Sequence, residues 1–289
     1  LREEFYKNGQ LGKTGNYKDG KEDGLWEGYY ENGEVRQRIN YKDGKWDGLH
    51  EMFYEDGQLT ETINYKVGLK HGLHEEFIGN FIYIRENYNN GELDGLYEKF
   101  YRSSSQLESR KNYKNGKKDG LHESFYKDGQ LLSRTNYKNG ELDGLWEEFH
   151  SDGELTRRSN YKNDKLNGLR EWFDENGTLT ETKEYKDGKE LNRTMFTYFE
   201  NGQLSETKNY KNGERDGLHE MFYEDGQLQE TGNFIDGKPD GLHEMFYENG
   251  QLKETGNYKN WEKDGLWEYF DDERNLTKTE NYKDGVLQE

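Results

Sequence analysis

Five of the seven histidines lie in one tetrapeptide, Gly-Leu-His-Glu, which sets His50, His74, His122, His219 and His243 one residue ahead of a glutamate. Trp26, Trp146 and Trp267 take the histidine's place in Gly-Leu-Trp-Glu, and Tyr97 takes it in Gly-Leu-Tyr-Glu. Imidazole beside carboxylate is the chemistry of metal sites and of general acid–base catalysis, so the first question is whether these groups can converge. The string returns every 24 residues, as in DGLHEMFYEDGQLTETINYKVGLK from Asp47 and DGLHEMFYENGQLKETGNYKNWEK from Asp240. If each interval is a β-hairpin, equivalent residues in successive hairpins lie two strands apart, about 9.6 Å, whereas ligands of one zinc lie about 2.0–2.1 Å from it. A shared metal is not expected. Catalysis needs a few carboxylates in unlike environments. Glutamates such as Glu27, Glu51, Glu75, Glu98, Glu123 and Glu147 recur in equivalent places, which points instead to a repeated hydrogen bond to a turn N–H or to a Thr or Arg on the paired strand. The lysines that follow the last aromatic of each interval (Lys18, Lys42, Lys66, Lys114, Lys138) form a similar stripe and are expected to be neutralised by nearby acids rather than to hold phosphate. No P-loop, dinucleotide fingerprint, nucleophile elbow, HExxH or calcium nonapeptide is present, so no catalytic residue, cofactor or metal ligand is assigned.

The elements that carry these residues follow from the period. Units start near residues 1, 23, 47, 71, 94, 119, 143, 167, 191, 216, 240 and 264, and the whole chain, 1–289, reads as one continuous array. Counting from the Asp as position 1, Gly recurs at 2, Leu at 3, Glu at 5, an aromatic at 7 and Tyr or Phe at 19. Glu-Asp-Gly or Glu-Asn-Gly after position 8 and Lys-Asp-Gly or Lys-Asn-Gly after position 19 are strong hairpin signals. The expected fold is all-β: an elongated single-sheet array of about twelve 24-residue antiparallel β-hairpins, on the order of 115 Å long at about 4.8 Å per strand. A three-residue first loop with left-handed Gly pairs position 8 with 12 and 7 with 13, and is expected to gather positions 3, 7, 13 and 19 on one face, as in Leu49, Phe53, Leu59 and Tyr65. The opposite face then carries positions 4 and 8. A candidate partner-binding aromatic ladder follows: Trp26, His50, His74, Tyr97, His122, Trp146, His219, His243 and Trp267, with Tyr30, Tyr54, Tyr126, Tyr223 and Tyr247. The competing reading is that these rings cover the sheet's own second face.

Composition alone would mislead. Hydrophobic residues are 29%, net charge is -19 and mean hydropathy is -1.40, the profile of a disordered chain. Aromatics at 15%, a single Pro and 35 Gly contradict it, because they describe turns and buried rings. An isolated hairpin is marginal, but stacking buries the same few positions in every unit at about 25 cal/mol per Å² of apolar area. The absence of Cys excludes disulfides and thiolate metal sites. The acidic surplus argues against nucleic acid as a partner, and lipid contact, though compatible with the sequence, is not favoured. No apolar run reaches membrane-span length. With Leu1 at its start and no signal-like segment after it, the sequence reads as a fragment or processed product.

The segment YKDGKWDGLHEMFYEDG, Tyr41 to Gly57, resembles the MORN repeat, and Leu at position 3 with Gly-Gln-Leu after the turn looks more like the bacterial variant found in YwqK-like antitoxin proteins. The resemblance covers essentially the whole chain. It implies a non-enzymatic extended scaffold that binds protein partners or self-assembles, at a bacterial surface or secreted; the alternative it implies is an antitoxin or immunity protein that neutralises a toxin by direct binding. Three units depart from the pattern, with Ile78-Gly79-Asn80-Phe81-Ile82 at one turn, Arg102-Ser103-Ser104-Ser105 at another, and loss of Gly-Leu and Glu in the unit from Leu191. A bulge, a kink or a binding-adapted unit would each fit, and tolerated irregularity is the simplest.

Overall fold

The computed structural model describes residues 1–289, which form two compact units, 1–153 and 154–289. Both are built alike. In the first, antiparallel strands follow one another in chain order from Arg2–Phe5 to Glu141–Phe149, and in the second from Leu155–Lys162 to Val286–Leu287. Pairing in each is between strands close in the chain, so each unit is a row of hairpins in one layer.

The repeat from Asp47 shows why the sequence makes this shape. Its first strand, Lys45–Phe53, reaches a loop in which the Tyr54 N–H donates to the Gln58 carbonyl (2.8 Å) and Gly57 stands at φ 82. This is the expected three-residue loop. The second turn is a two-residue one. In the preceding repeat Lys42 pairs with Lys45, and the residues between them, Asp43 (φ 50) and Gly44 (φ 79), are both left-handed, the requirement that selects Asp-Gly for a type I′ hairpin.

Register departs from the expectation at one point. Phe53 pairs with Leu59 as expected, but Met52 pairs with Glu61, leaving Thr60 as an extra residue. The same bulge recurs in the other hairpins, for example between Met221 and Phe222 and between Tyr269 and Phe270. One inserted residue flips every later side chain to the other face. Positions 3, 7 and 13 therefore share a face with 5, 16 and 18, while position 19 joins positions 4 and 17 on the opposite one: Leu49 pairs with Asn64, Glu51 with Thr62, His50 with Ile63 and Gly48 with Tyr65. The expected grouping of Tyr65 with Leu49 is corrected on this ground.

A second irregularity lies between repeats. Ile63 pairs with His74 and Tyr65 with Lys70, so one residue on the first strand faces three, His71 to Leu73, on the next. The gap is bridged by a side chain: the position-18 amide donates to the position-3 carbonyl of the next repeat, as in Asn40 to Leu49 (2.9 Å), Asn87 to Leu96 (2.9 Å) and Asn209 to Leu218 (2.6 Å). The three departing units stay within this scheme. Gly79 (φ 58) and Asn80 form a two-residue loop closed by Ile78 and Phe81; residues 102–105 lengthen a loop by one; and Lys189–Tyr198 keeps Arg193 opposite Tyr210.

Candidate interaction faces

The face carrying positions 4, 17 and 19 is aromatic and largely closed. Rings at positions 19 and 4 alternate across repeats at contact distance: Tyr17, Trp26 and Tyr41 at 5.2 and 6.0 Å; Tyr113, His122 and Tyr137 at 5.8 and 4.5 Å; His243, Tyr258 and Trp267 at 5.4 and 5.1 Å. Position 24 adds a cover. Lys118 lies 4.6 Å over Tyr137 and Lys263 3.9 Å over Trp267, the cation–π geometry that lets a lysine seal an aromatic row and keep its charge in water.

The structure places the sequence-predicted ladder inside this packing. Trp26, His50, His74, His122, His219 and Trp267 are buried, Trp267 completely, and Tyr97, Trp146 and His243 are half-buried. Two tryptophans lie directly on glycine: a Cβ on Gly15 would come within 2.0 Å of Trp26, and one on Gly256 within 2.2 Å of Trp267. Their indole N–H groups donate to the Asn16 and Asn257 carbonyls (3.1 Å each), and His122 Nε2 lies 2.9 Å from the equivalent Asn112 carbonyl. The position-8 tyrosines are half-buried rivets. Tyr30, Tyr126, Tyr223 and Tyr247 donate their hydroxyls to the carbonyls of Phe53, Phe149, Phe246 and Phe270 in the next repeat at 2.7–2.9 Å. Tyr54, which faces the repeat with the altered turn, is exposed. The position-4 rings of the ladder are thus spent on the sheet itself, and its position-8 tyrosines, Tyr54 apart, bond to the next repeat.

Histidine pairing was missed from sequence. His74 Nε2 meets Glu61, His219 Nε2 meets Glu206 and His243 Nε2 meets Glu230 at 2.9, 2.9 and 3.2 Å, in each case a glutamate 13 residues upstream on the preceding repeat. Where that place holds Gln37 or Ser109, His50 and His122 have no such partner. The signal was available as a paired spacing across the repeat boundary. His74 is clamped on both sides, with Glu86 at 2.9 Å from Nδ1. Burial disfavours its charge, but the two carboxylate hydrogen bonds prevail and raise its pKa to about 9. Those bonds in turn hold Glu61 and Glu86 below the usual carboxylate range, Glu86 in spite of its burial. These pairs do not make a metal centre, for no group of three or more His, Cys, Asp or Glu side chains is disposed to hold an ion.

The other face is ionic, and more open: Glu98, Glu147 and Thr207 are buried in it, but its leucines are exposed. The expected repeated bond of the position-5 glutamates is found, to Arg or Thr at position 16. Arg38 bridges Glu27 (3.0 Å) and Glu51 (3.8 Å), Arg85 bridges Glu75 (2.8 Å) and Glu98 (3.5 Å), Arg134 pairs with Glu147, and Thr207 donates to Glu220 (3.3 Å). Beside this row Leu25, Leu49, Leu73 and Leu121 in the first unit, and Leu169, Leu218, Leu242 and Leu266 in the second, are exposed, the last at 54%.

Comparison with known proteins gives one family. The model of the MORN repeat variant matches residues 22–43, 46–66, 118–139, 142–163, 166–187, 194–212, 215–236 and 239–260, together more than half of the chain. No curated protein matches. Among solved structures, the TcdB2-TccC3-Cdc42 complex is 12% identical with a TM-score of 0.26, over 96% of this chain and 18% of that one. A porin-like protein from Bacteroides uniformis ATCC 8492 is 8% identical with a TM-score of 0.19, over 91% of both chains. The chain thus spans under a fifth of the length of the first of these, and at such scores neither carries an argument.

Proposed function

The chain belongs to the MORN repeat variant family, a non-enzymatic protein-interaction module, and on that premise we propose that it binds a protein partner along the open face, through the leucines at position 3. The observation that carries this reading is the contrast between the faces: the position-4 rings and most position-8 tyrosine hydroxyls are engaged within the sheet, while a leucine is left standing in water in repeat after repeat. Regular stripes of this kind mark contact surfaces, unlike scattered surface leucines. The flanking Glu–Arg rows supply register and a polar rim, and contribute little affinity. A scaffold at or beyond the bacterial surface would use such a face for assembly with itself or with another protein. Neutralising a toxin by direct binding is a narrower form of the same contact.

Changing Leu218, Leu242 and Leu266 together to Ser tests it. These exposed side chains contribute little to folding, so the melting temperature should stay within a few degrees while co-purification of the native partner, or the concentration-dependent mass in sedimentation, is lost. Association unaffected by the triple change would refute the open face as the contact. Rescue of toxin-expressing cells by the chain, abolished by the same change, would identify the narrower role.

A further inference from the structure

Three departures from the repeat meet at one place in the second unit. Position 17, which holds Ile39 and Ile63 ahead of His50 and His74, is Gly232 ahead of His243. Position 24, which elsewhere covers the aromatic row with residues such as Trp46, Lys118 or Lys263, is Pro239, the chain's one proline. In the following repeat the glycine of the type I′ turn is replaced by Trp261, held at φ 80 and 62% exposed. A bulky residue in that conformation costs on the order of 1–2 kcal/mol, and strain of this kind gathers at functional sites. Two of these changes remove cover from the closed face and the third plants an indole at the rim. The result is a cavity of about 330 Å³ lined by Phe234, Pro239, Tyr258 and Trp261 together with Gly232, Leu242 and His243. That volume is at the bottom of the range for ligand pockets, about 300–1,000 Å³, and suits a single side chain better than a cofactor.

We propose that this cavity is a binding site for a planar aromatic side chain, tryptophan above all, presented by a protein partner. The occupant is argued from the chain's own usage. In two other repeats glycine at position 17 is matched by an indole from position 4, Trp26 on Gly15 and Trp267 on Gly256. At Gly232 the matching residue is the smaller imidazole of His243, whose Cδ2 would be 3.3 Å from an added Cβ, and no covering side chain follows at position 24. A cationic guest, the other common occupant of an aromatic cage, is disfavoured because the Arg215 guanidinium already sits 5.1 Å over Phe234 at the same wall, while Glu230 is engaged by His243. The site deepens the partner-binding reading by supplying an anchor of the kind that dominates interface energetics, and it rests on that reading only for the source of the ring.

The test uses the full chain and 5-fluoroindole followed by fluorine NMR. Saturable binding to the unaltered protein, weakened at least tenfold by Gly232→Ile, which supplies the residue found opposite His50 and His74, is the expected result. Pro239→Lys, which restores the cover, should do the same and serves if Gly232→Ile lowers the melting temperature. Absence of saturable binding, or binding unchanged in the folded variants, would overturn the site. Changing Leu218 and Leu266 alone, which leaves the cavity-lining Leu242 in place, should leave fluoroindole binding intact; loss of partner association with indole binding retained would separate the open face from this cavity.

Discussion

His50 and His74 occupy the same position of adjacent repeats, both buried, in opposite electrostatic states. His74 sits between Glu61 and Glu86, with Tyr88 also donating to Glu86 at 2.8 Å, and is held as an imidazolium. His50 has Gln37 and Ile63 in the corresponding places; both its ring nitrogens are buried without partners, and burial lowers its pKa against the weaker pull of Glu61. The tetrapeptide around the two is identical, so the difference comes entirely from the neighbouring strands. Histidine chemistry in this array belongs to repeat junctions and cannot be read from a repeat alone.

The comparison is broken most sharply by removing the rings. His74→Phe would leave two carboxylates facing each other across an apolar ring and should cost about 3 kcal/mol in denaturant unfolding at pH 7. His50→Phe should be neutral or slightly stabilising, because it replaces unpaired buried nitrogens with a ring of the kind that position 4 already accepts. Equal losses would show that the clamp is not what matters.

Titration should separate the pair by sign. The folded pKa of His74 lies above its unfolded value near 6.5, so its contribution is complete below about pH 6.5 and is lost as pH rises through about 9. The folded pKa of His50 is depressed, so its penalty appears as pH falls below 6.5, when only the unfolded chain readily takes up the proton. Unfolding free energies from pH 5 to 9 should therefore lose their high-pH decline in His74→Gln, and their low-pH decline should weaken in His50→Gln, the remainder coming from His122, whose pKa burial also lowers. The carboxylate halves of the clamp fail only at acid pH, where Glu61 and Glu86 protonate below their usual range.

The smallest effect sharpens the comparison by conversion. Gln37→Glu supplies His50 with the upstream carboxylate that His74 has in Glu61, and should stabilise the protein by about 1 kcal/mol at pH 6 while moving the His50 titration upward in NMR. A His50 titration that stays put would mean that position 15 does not govern the pairing.

Much of this architecture was legible in the sequence. Two Gly-containing turns per 24 residues specified hairpins, because Asp43-Gly44 and its equivalents need two left-handed residues in succession. The three-residue loop around Gly57 and the Glu–Arg and Glu–Thr bonds of position 5 were also open to inference, since each is local to a hairpin or to the strand beside it. The assignment of faces was not. It turned on one bulged residue, Thr60, whose sequence neighbourhood resembles any other strand, and the slip moved Tyr65 away from Leu49 and onto the side of His50.

By itself, then, the sequence determined the family, the hairpin and the period, because turn geometry and alternation act over a few residues and are repeated twelve times. Only the tertiary structure decided which rings are spent and which are offered. Whether His74 is charged, why Leu266 stands in water while Trp267 beside it is fully buried, and where Gly232, Pro239 and Trp261 meet all depend on register between strands. Register is set by bulges and by side chains reaching across repeat boundaries, and in a layer one strand thick a shift of a single residue exchanges the buried face for the open one.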